Sequence, residues 1–374
     1  MAVEYSNWVR HPGFYLKEEM EERGLLGRDL AFILGIPEQS LNTILSGKRG
    51  ISPDMARALG DAFDVPAEFF MNLQQAYDLS RAATPDPGVA IRAKMQTRYP
   101  VREMMKRGWI EESDHGMLEL QLQRFFKVDN SDDIPYMAHA ARKSRYEERE
   151  IPPEQLAWLY RVKLIAEGIG VPTYSETKLR ATIHDLEAFL HTPDEARHVP
   201  KMLSECGIKF VIVERLPRAD IDGVCFWDKD TPVIGMSMRY DRIDNFWFVL
   251  RHEIEHVLQG DGRVEEMLDD LDEQRQLSAA LPKEELIANA AAADFCAPAA
   301  KLETFLKRKH PFYYEKDVIA FAHMYNRHPG LVVGQIRKRL NRFDYLTRHL
   351  VKIRQFVLPG AITDGWGQVA PVEL

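Results

Sequence analysis

The chain has 374 residues, 45% of them apolar, which is enough for a sizeable core and for two or three domains. Its 49 Lys and Arg against 57 Asp and Glu exclude a chain-wide polyanion-binding surface. Cys206, Cys225 and Cys296 lie far apart with no CxxC, which excludes a disulfide framework and a thiolate zinc site and fits a reducing compartment.

No apolar stretch approaches the ~20 residues that span a bilayer. The opening MAVEYSNWVRHPG lacks the basic-then-apolar layout of a signal peptide. A cytoplasmic protein with no membrane contact is expected. The overall pattern predicts a mainly α chain with a small α+β domain. It divides into a helical reader over 1–80, a helical connector over 81–200 and a third domain over 201–374.

From His11 to Leu79 short amphipathic helices alternate with Gly and Pro; Phe14, Leu16, Met20, Leu25, Leu30, Ile33 and Leu34 recur at helical spacing. The centre, GRDLAFILGIPEQSLNTILSGK, fits a helix-turn-helix. Ala31 is the small residue on which a second helix can pack, and Gly35 is the residue that turns the chain at positive φ. Leu41 and Ile44 would hold the second helix to the core. Its other face would then present Glu38, Gln39, Ser40, Asn42 and Thr43. Gln39, Ser40, Asn42 and Thr43 are side chains of the kind that read base edges, and Lys48 and Arg49 follow in a loop suited to a phosphate.

This segment resembles the antitoxin-type repressors of the HigA family, within the wider Xre/Cro group. The resemblance is carried by HPGFYLKEEMEERG, LAFILGIPEQSLNTILSGKRGIS and FDVPAEFFMNLQQAYDL. It implies a five-helix domain that binds operator DNA as a homodimer. One feature departs from that expectation. Residues 1–75 hold seven Lys or Arg and eleven Asp or Glu, a net of −4, whereas phosphate neutralisation normally dominates DNA affinity. A helical domain kept for dimerisation or protein contact is the alternative.

Between Ser80 and about Pro200 the signals thin. TPDPG at 84–88 reads as a linker. VREMMKRGWI, HGMLELQLQRFF, PEQLAWLYRVKLIAEGI and LEAFL read as helices, ended by Pro135, Pro152-Pro153, Pro172 and Pro193. Leu118, Leu120, Leu122, Phe125 and Phe126 read as core, and KSRYEERE at 143–150 as a solvated face.

From Lys209 the texture becomes β. KFVIVERL, GVCFW and PVIGMS are short, rich in β-branched and aromatic residues and separated by turn formers, with PRADIDG joining the first two. A small, mainly antiparallel sheet is expected, followed by the helix FWFVLRHEIEHVLQG. Phe246, Leu250, Ile254 and Val257 or Leu258 would bury one side of that helix and leave the histidines on a cleft, with Gly260 and Gly262 ending it.

His252 and His256, four apart, would offer two imidazoles to one metal ion, with Glu253 placed to deprotonate a water. A catalytic zinc site needs a third protein ligand. Glu285, in EELIANAAAADFCAP, is the best candidate because Ala288 and Ala292 on its face allow a close approach to the HEIEH helix. Asp294 is the runner-up ligand. Asn289, one turn on from Glu285, is suited to hold a ligand from behind, and Cys296 reads as packing. Arg239, Tyr240, Tyr313, Tyr314, His323 and His328 are weaker candidates for polarising a carbonyl.

These residues resemble the ImmA/IrrE family of metallopeptidases, over roughly residues 200–355. The carriers are RYDRIDNFWFVLRHEIEH, then Glu285 with Ala288-Asn289 ending at Pro298, and HPGLVVGQIRKRL. The resemblance implies a zincin-like domain with Zn2+ held by His252, His256 and Glu285, Glu253 as general base, and a protein substrate such as a repressor. Ala291-Ala292 stands where the family has an apolar Phe-Ala, a change in packing. A zinc site that only staples the fold, a metal-free relic, or a C-terminal domain that binds a toxin or effector is the other reading; a purely structural site has no use for Glu253.

Overall fold

The computed structural model describes residues 9–83, 86, 88–111, 115–129, 152–264, 266–269 and 281–372. Most of the TPDPG linker, Pro135 and the mixed-charge run at 143–150 lie outside the described residues. The chain divides into two compact units, Met1–Asp86 and Pro87–Leu374.

The first unit is five helices: α1 (Pro12–Glu22), α2 (Gly27–Leu34), α3 (Glu38–Leu45), α4 (Pro53–Phe63) and α5 (Ala67–Arg81). Proline at the first turn of α1 and α4, and the Ser52 side chain accepting from the Met55 N–H, set the helix starts. Between α2 and α3, Gly35 sits at φ 64°, the left-handed conformation that costs a Cβ-bearing residue most. Leu16, Leu30, Ala31, Leu41, Ile44, Leu59, Phe63 and Phe70 form a single apolar core. Ile33, grouped with the apolar repeat by its spacing, is instead half open to solvent at 51%, beside Phe32.

The second unit begins with α6 (Gly88–Arg98), α7 (Val101–Lys106), α8 (His115–Phe126), α9 (Pro153–Glu167), α10 (Glu176–Glu187) and α11 (Val199–Glu205). Strands β1 (Lys209–Val213), β2 (Gly223–Asp228) and β3 (Thr231–Met236) lead to α12 (Ile243–Gln259), β4 (Met267–Asp269) and α13 (Lys283–Cys296). Three further helices follow: α14 (Ala299–Lys309), α15 (Glu315–Met324) and α16 (Pro329–Leu340). A short α17 (Arg354–Val357) and β5 (Ile362–Asp364) end the unit. Among the described residues no helix is long and apolar enough to cross a membrane.

The sheet corrects the antiparallel expectation. Its order is β4-β2-β3-β1-β5, and β1 runs parallel to both β3 and β5, while β2 pairs antiparallel with β3 and β4. β1 is buried along its whole length, as expected of a central strand covered on both faces. Val211, Val213, Val224, Phe226 and Val233 pack into one core with α6–α9. Phe210, Ile212, Cys225, Ile234 and Met236 pack into another with α10–α13. The helices expected to be a connector over 81–200 therefore divide between the two layers that cover the sheet.

Buried polar contacts tie the late strand into this frame. Trp109 donates from Nε1 to Asp364 at 2.7 Å, and Arg161 pairs with the same carboxylate at 2.6 Å while donating to the Ala370 carbonyl. Arg161 and Asp364 are both fully enclosed, so loss of either would strand a buried charge.

Candidate functional site

α12 is buried on all sides along Ile243–Leu250 and again at His252–Val257, rather than along one apolar stripe. It ends at Gly260, left-handed at φ 75°, and a Gly-Asp-Gly turn follows. α13 lies against it through Ala288 and Ala292, both fully buried; their small side chains permit the close approach.

That approach brings three side chains together. His252 Nε2 and His256 Nε2 are 3.0 Å apart, His252 Nε2 is 3.4 Å from Glu285 Oε2, and His256 Nε2 is 3.6 Å from Glu285 Oε1. Ligand atoms about 2.0–2.2 Å from a tetrahedral zinc would lie roughly 3.3–3.6 Å from one another. The donor set, two imidazoles and a carboxylate, and its spacing fit such an ion. Two of the three distances fall in that range and the imidazole pair is slightly closer.

The expected open cleft is corrected. His252, His256 and Glu253 are 0% exposed and Glu285 6%, so the cluster is enclosed by protein. Glu253 lies against β2: a Cβ on Gly223 would fall 2.0 Å from Glu253 Oε1, so glycine there is what lets the carboxylate sit beside the strand.

Asn289 lies one turn after Glu285 and is half-buried. Asp294, the runner-up ligand, is exposed and accepts from the Ala299 N–H at 2.8 Å, which makes it a brace for the start of α14. Burial pushes the Cys296 thiol up to about 12, consistent with a packing residue.

Three of the polar candidates for a carbonyl clamp, His328, Arg239 and Tyr240, have other duties. His328 Nδ1 accepts from the Gly330 N–H at 3.0 Å and caps α16. Burial, with a smaller push from His349, lowers its pKa to about 4, so it is neutral at neutral pH. Arg239 pairs with Asp220 at 2.8 Å, Tyr240 lies beneath the Arg239 and Arg242 guanidinium groups, and Tyr345 donates to the Tyr313 carbonyl.

Asp261 is the residue that sequence reasoning missed. Its Oδ2 is 2.9 Å from His256 Nδ1, its N–H donates to the His256 carbonyl, and its own carbonyl accepts from Trp227 Nε1 at 2.9 Å. A carboxylate on Nδ1 favours the tautomer that leaves Nε2 as a donor to a cation. The signal was the Gly-Asp-Gly turn itself. Two left-handed glycines reverse the chain, and a Cβ on Gly262 would sit 2.6 Å from the Cys225 carbonyl.

In the first unit, the residues expected to read DNA lie along α3 and in the loop that follows it. Gln39 and Asn42 are exposed, Ser40 and Thr43 half-buried, and Leu41 and Ile44 face the core. Gln39, Ser40, Thr43, Lys48 and Arg49 line an open concavity of about 450 Å³. The Thr43 carbonyl accepts from both the Lys48 and Arg49 N–H groups, which fixes the loop against the helix.

The helix-turn-helix family model matches residues 16–70. Virulence-associated protein I of Dichelobacter nodosus is 34% identical over 88 residues, 23% of this chain and 82% of that protein. Virulence-associated protein A of the same organism is 36% identical over 95 residues, 25% of this chain and 90% of that protein. The chain belongs, through its first unit, to this helix-turn-helix family. With virulence-associated protein A' of that organism the helix-turn-helix chain shares 39% identity over 72 residues, spanning 63% of that protein.

Among solved structures, an addiction module antidote protein of a HigA family from Coxiella burnetii is 34% identical. That match covers 21% of this chain and 97% of that one, with a TM-score of 0.19. The Pseudomonas aeruginosa antitoxin HigA with its higBA promoter is 37% identical, covering 23% and 88%, with a TM-score of 0.19.

Proposed function

We propose that this chain is a cytoplasmic, operator-binding regulator of antitoxin type, homodimeric on DNA, joined to a zinc-dependent peptidase of the ImmA/IrrE kind. Support for the DNA-reading half comes from the matched helix-turn-helix, from relatives that include an antitoxin solved with promoter DNA, and from the polar face of α3 with Lys48 and Arg49 beside it. The peptidase half is carried by one observation: two imidazoles of α12 and a carboxylate of α13 meet with donor spacings of 3.0 to 3.6 Å, with Glu253 one residue from the first imidazole.

In this reading His252, His256 and Glu285 hold Zn2+. The ion would supply Lewis-acid polarisation of a peptide carbonyl and of a water. Glu253, held against Gly223, takes the proton from the attacking water and passes it to the departing amine. Asp261 keeps His256 in the tautomer whose Nε2 faces the other two donors. Asn289, one turn on from Glu285 on the same helix, would hold one of the ligands from behind. The substrate is a protein: a partner repressor or the chain itself.

A second reading draws on the burial of the cluster, at 0 to 6% exposure. A site this enclosed suits an antitoxin whose larger unit binds a toxin and uses zinc only as a staple. Incubating the zinc-loaded chain, alone and with a candidate repressor or toxin, separates the two. Under the peptidase reading a partner or the chain is cut, and Glu253→Gln slows that cleavage about 10²–10⁴-fold with zinc content unchanged. Stoichiometric zinc, a stable partner complex and intact partners would favour the staple.

A further inference from the structure

The charge of this molecule is unevenly placed. Residues 299–354, from α14 to the start of α17, hold 13 Lys or Arg (301, 307, 308, 309, 316, 327, 337, 338, 339, 342, 348, 352, 354) and four Asp or Glu (303, 315, 317, 344), a net of +9. The chain as a whole is −8, so the remainder carries −17. The helices of this segment share a core of their own, built on Leu302, Phe305, Val318, Phe321, Val332 and Ile336.

All four acids are already engaged: Glu303 with Arg339, Glu315 with Arg348, Asp317 with Lys309 and Asp344 with Arg342. Of the remaining cations, Arg327 pairs with Glu187, Arg337 and Arg354 donate to the Phe343 and Met238 carbonyls, and Lys338 lies over the Phe248 ring. Lys307 and Arg308 on the last turn of α14 and Lys316 on the first turn of α15 are exposed and, among the described residues, take part in no ion pair. The Lys309–Asp317 pair, at 3.0 Å, draws the two helix ends together at one corner.

At that corner the chain exposes two aromatic rings. Phe312 is 67% exposed and Tyr314 59%, with centroids 6.4 Å apart and planes 30° from parallel. Both rings lie in the short segment between Lys307 and Arg308 at the end of α14 and Lys316 at the start of α15. Flat apolar faces interleaved with positive charge suit a ligand that alternates flat bases with phosphates. A duplex keeps its bases stacked inside; a single strand presents them.

We propose that the α14–α15 corner binds single-stranded nucleic acid. Bases stack on Phe312 and Tyr314, and Lys307, Arg308 and Lys316 neutralise phosphates. The residues of this contact are not those of the α3 face.

The test is fluorescence anisotropy of the full-length chain with a labelled 20-nucleotide oligothymidylate across a salt series. Phe312→Ala is expected to weaken binding about tenfold and the double variant with Tyr314→Ala about a hundredfold. Joint Lys307→Gln, Arg308→Gln and Lys316→Gln should lower the slope of log K against log salt by about 2. Lys48→Gln with Arg49→Gln should leave this binding in place. Circular dichroism of each variant should match the parent, since every changed side chain is exposed. Absence of oligothymidylate binding, indifference to the aromatic variants, or loss only on changing Lys48 and Arg49 would overturn the proposal. So would corner-dependent binding of anionic phosphatidylserine vesicles without binding of the oligonucleotide.

Discussion

In the first unit the candidate residues stand outside the core; in the second they form part of it. Gln39 and Asn42 are exposed on a helix whose opposite face, Leu41 and Ile44, is buried, so packing and recognition use different positions. His252, Glu253 and His256 have no exposure at all, and the same helix carries Trp247 and Ile254 into the apolar interior. A reading face can therefore change its polar residues at little cost to the fold. A buried cluster cannot, because each polar atom taken from water needs a partner. Changes to the α12–α13 cluster should alter stability and ligand binding together, whereas changes to α3 should alter binding alone.

The largest effect tests that coupling. Glu285→Ala removes one of three donors and should weaken zinc binding more than about a hundredfold, since loss of a group behind a ligand alone costs 10–100-fold. Isothermal titration with zinc at fixed pH checks it, with thermal unfolding followed in parallel. Undiminished zinc affinity would break the assignment of the third ligand.

Next comes Asp261→Asn, which keeps the shape and removes the charge behind His256. Zinc affinity should fall about 10–100-fold with little change in secondary structure. A variant that binds zinc as tightly as the parent would make Asp261 a fold residue only.

On the first unit, Asn42→Ala should cost about 1–3 kcal/mol of operator affinity and relax preference at one base pair if Asn42 reads a base edge. Lys48→Gln should weaken all sequences alike and lower the salt slope by about 1. Neither should shift the unfolding temperature, and a marked shift in either would contradict the separation of reading from packing.

Stability should also depend on pH. His328 is lowered to about 4 in the folded chain from 6.5, by burial first and His349 second. Between those values the unfolded chain binds more protons, so stability rises with pH. The contribution is complete above about 6.5 and is lost as pH falls towards 4. His328→Asn keeps a side chain able to cap α16 and cannot titrate. Its urea midpoint should drop less between pH 7 and 5 than that of the parent. An equal drop would remove His328 as the cause.

Much of this was legible in the residues, and the rest was hidden for identifiable reasons. Ala31, Gly35, Leu41 and Ile44 each sit where a helix-turn-helix requires, because steric rules at a tight turn leave few alternatives. The convergence of Glu285 on the histidines followed from Ala288 and Ala292 at helical spacing. The sheet was misjudged because KFVIV is apolar on both faces. That pattern marks a strand covered on two sides and carries no direction of pairing. Its covering helices, read as a connector, could not be assigned to it without knowing that β5, 150 residues downstream of β1, completes the sheet. The role of Asp261 is not legible in the sequence because it depends on how far a two-glycine turn folds back, which local periodicity does not encode.

X-ray absorption at the zinc edge, on the full chain with its metal content counted, would read the coordination at His252, His256 and Glu285. One zinc per chain is expected, with two imidazole nitrogens about 2.0–2.1 Å away, oxygen donors about 2.0–2.2 Å away and no sulfur, and with loss of the imidazole signature in His252→Ala with His256→Ala. A chain that takes up no zinc, or one whose zinc is bound by sulfur or survives removal of both histidines, would contradict it.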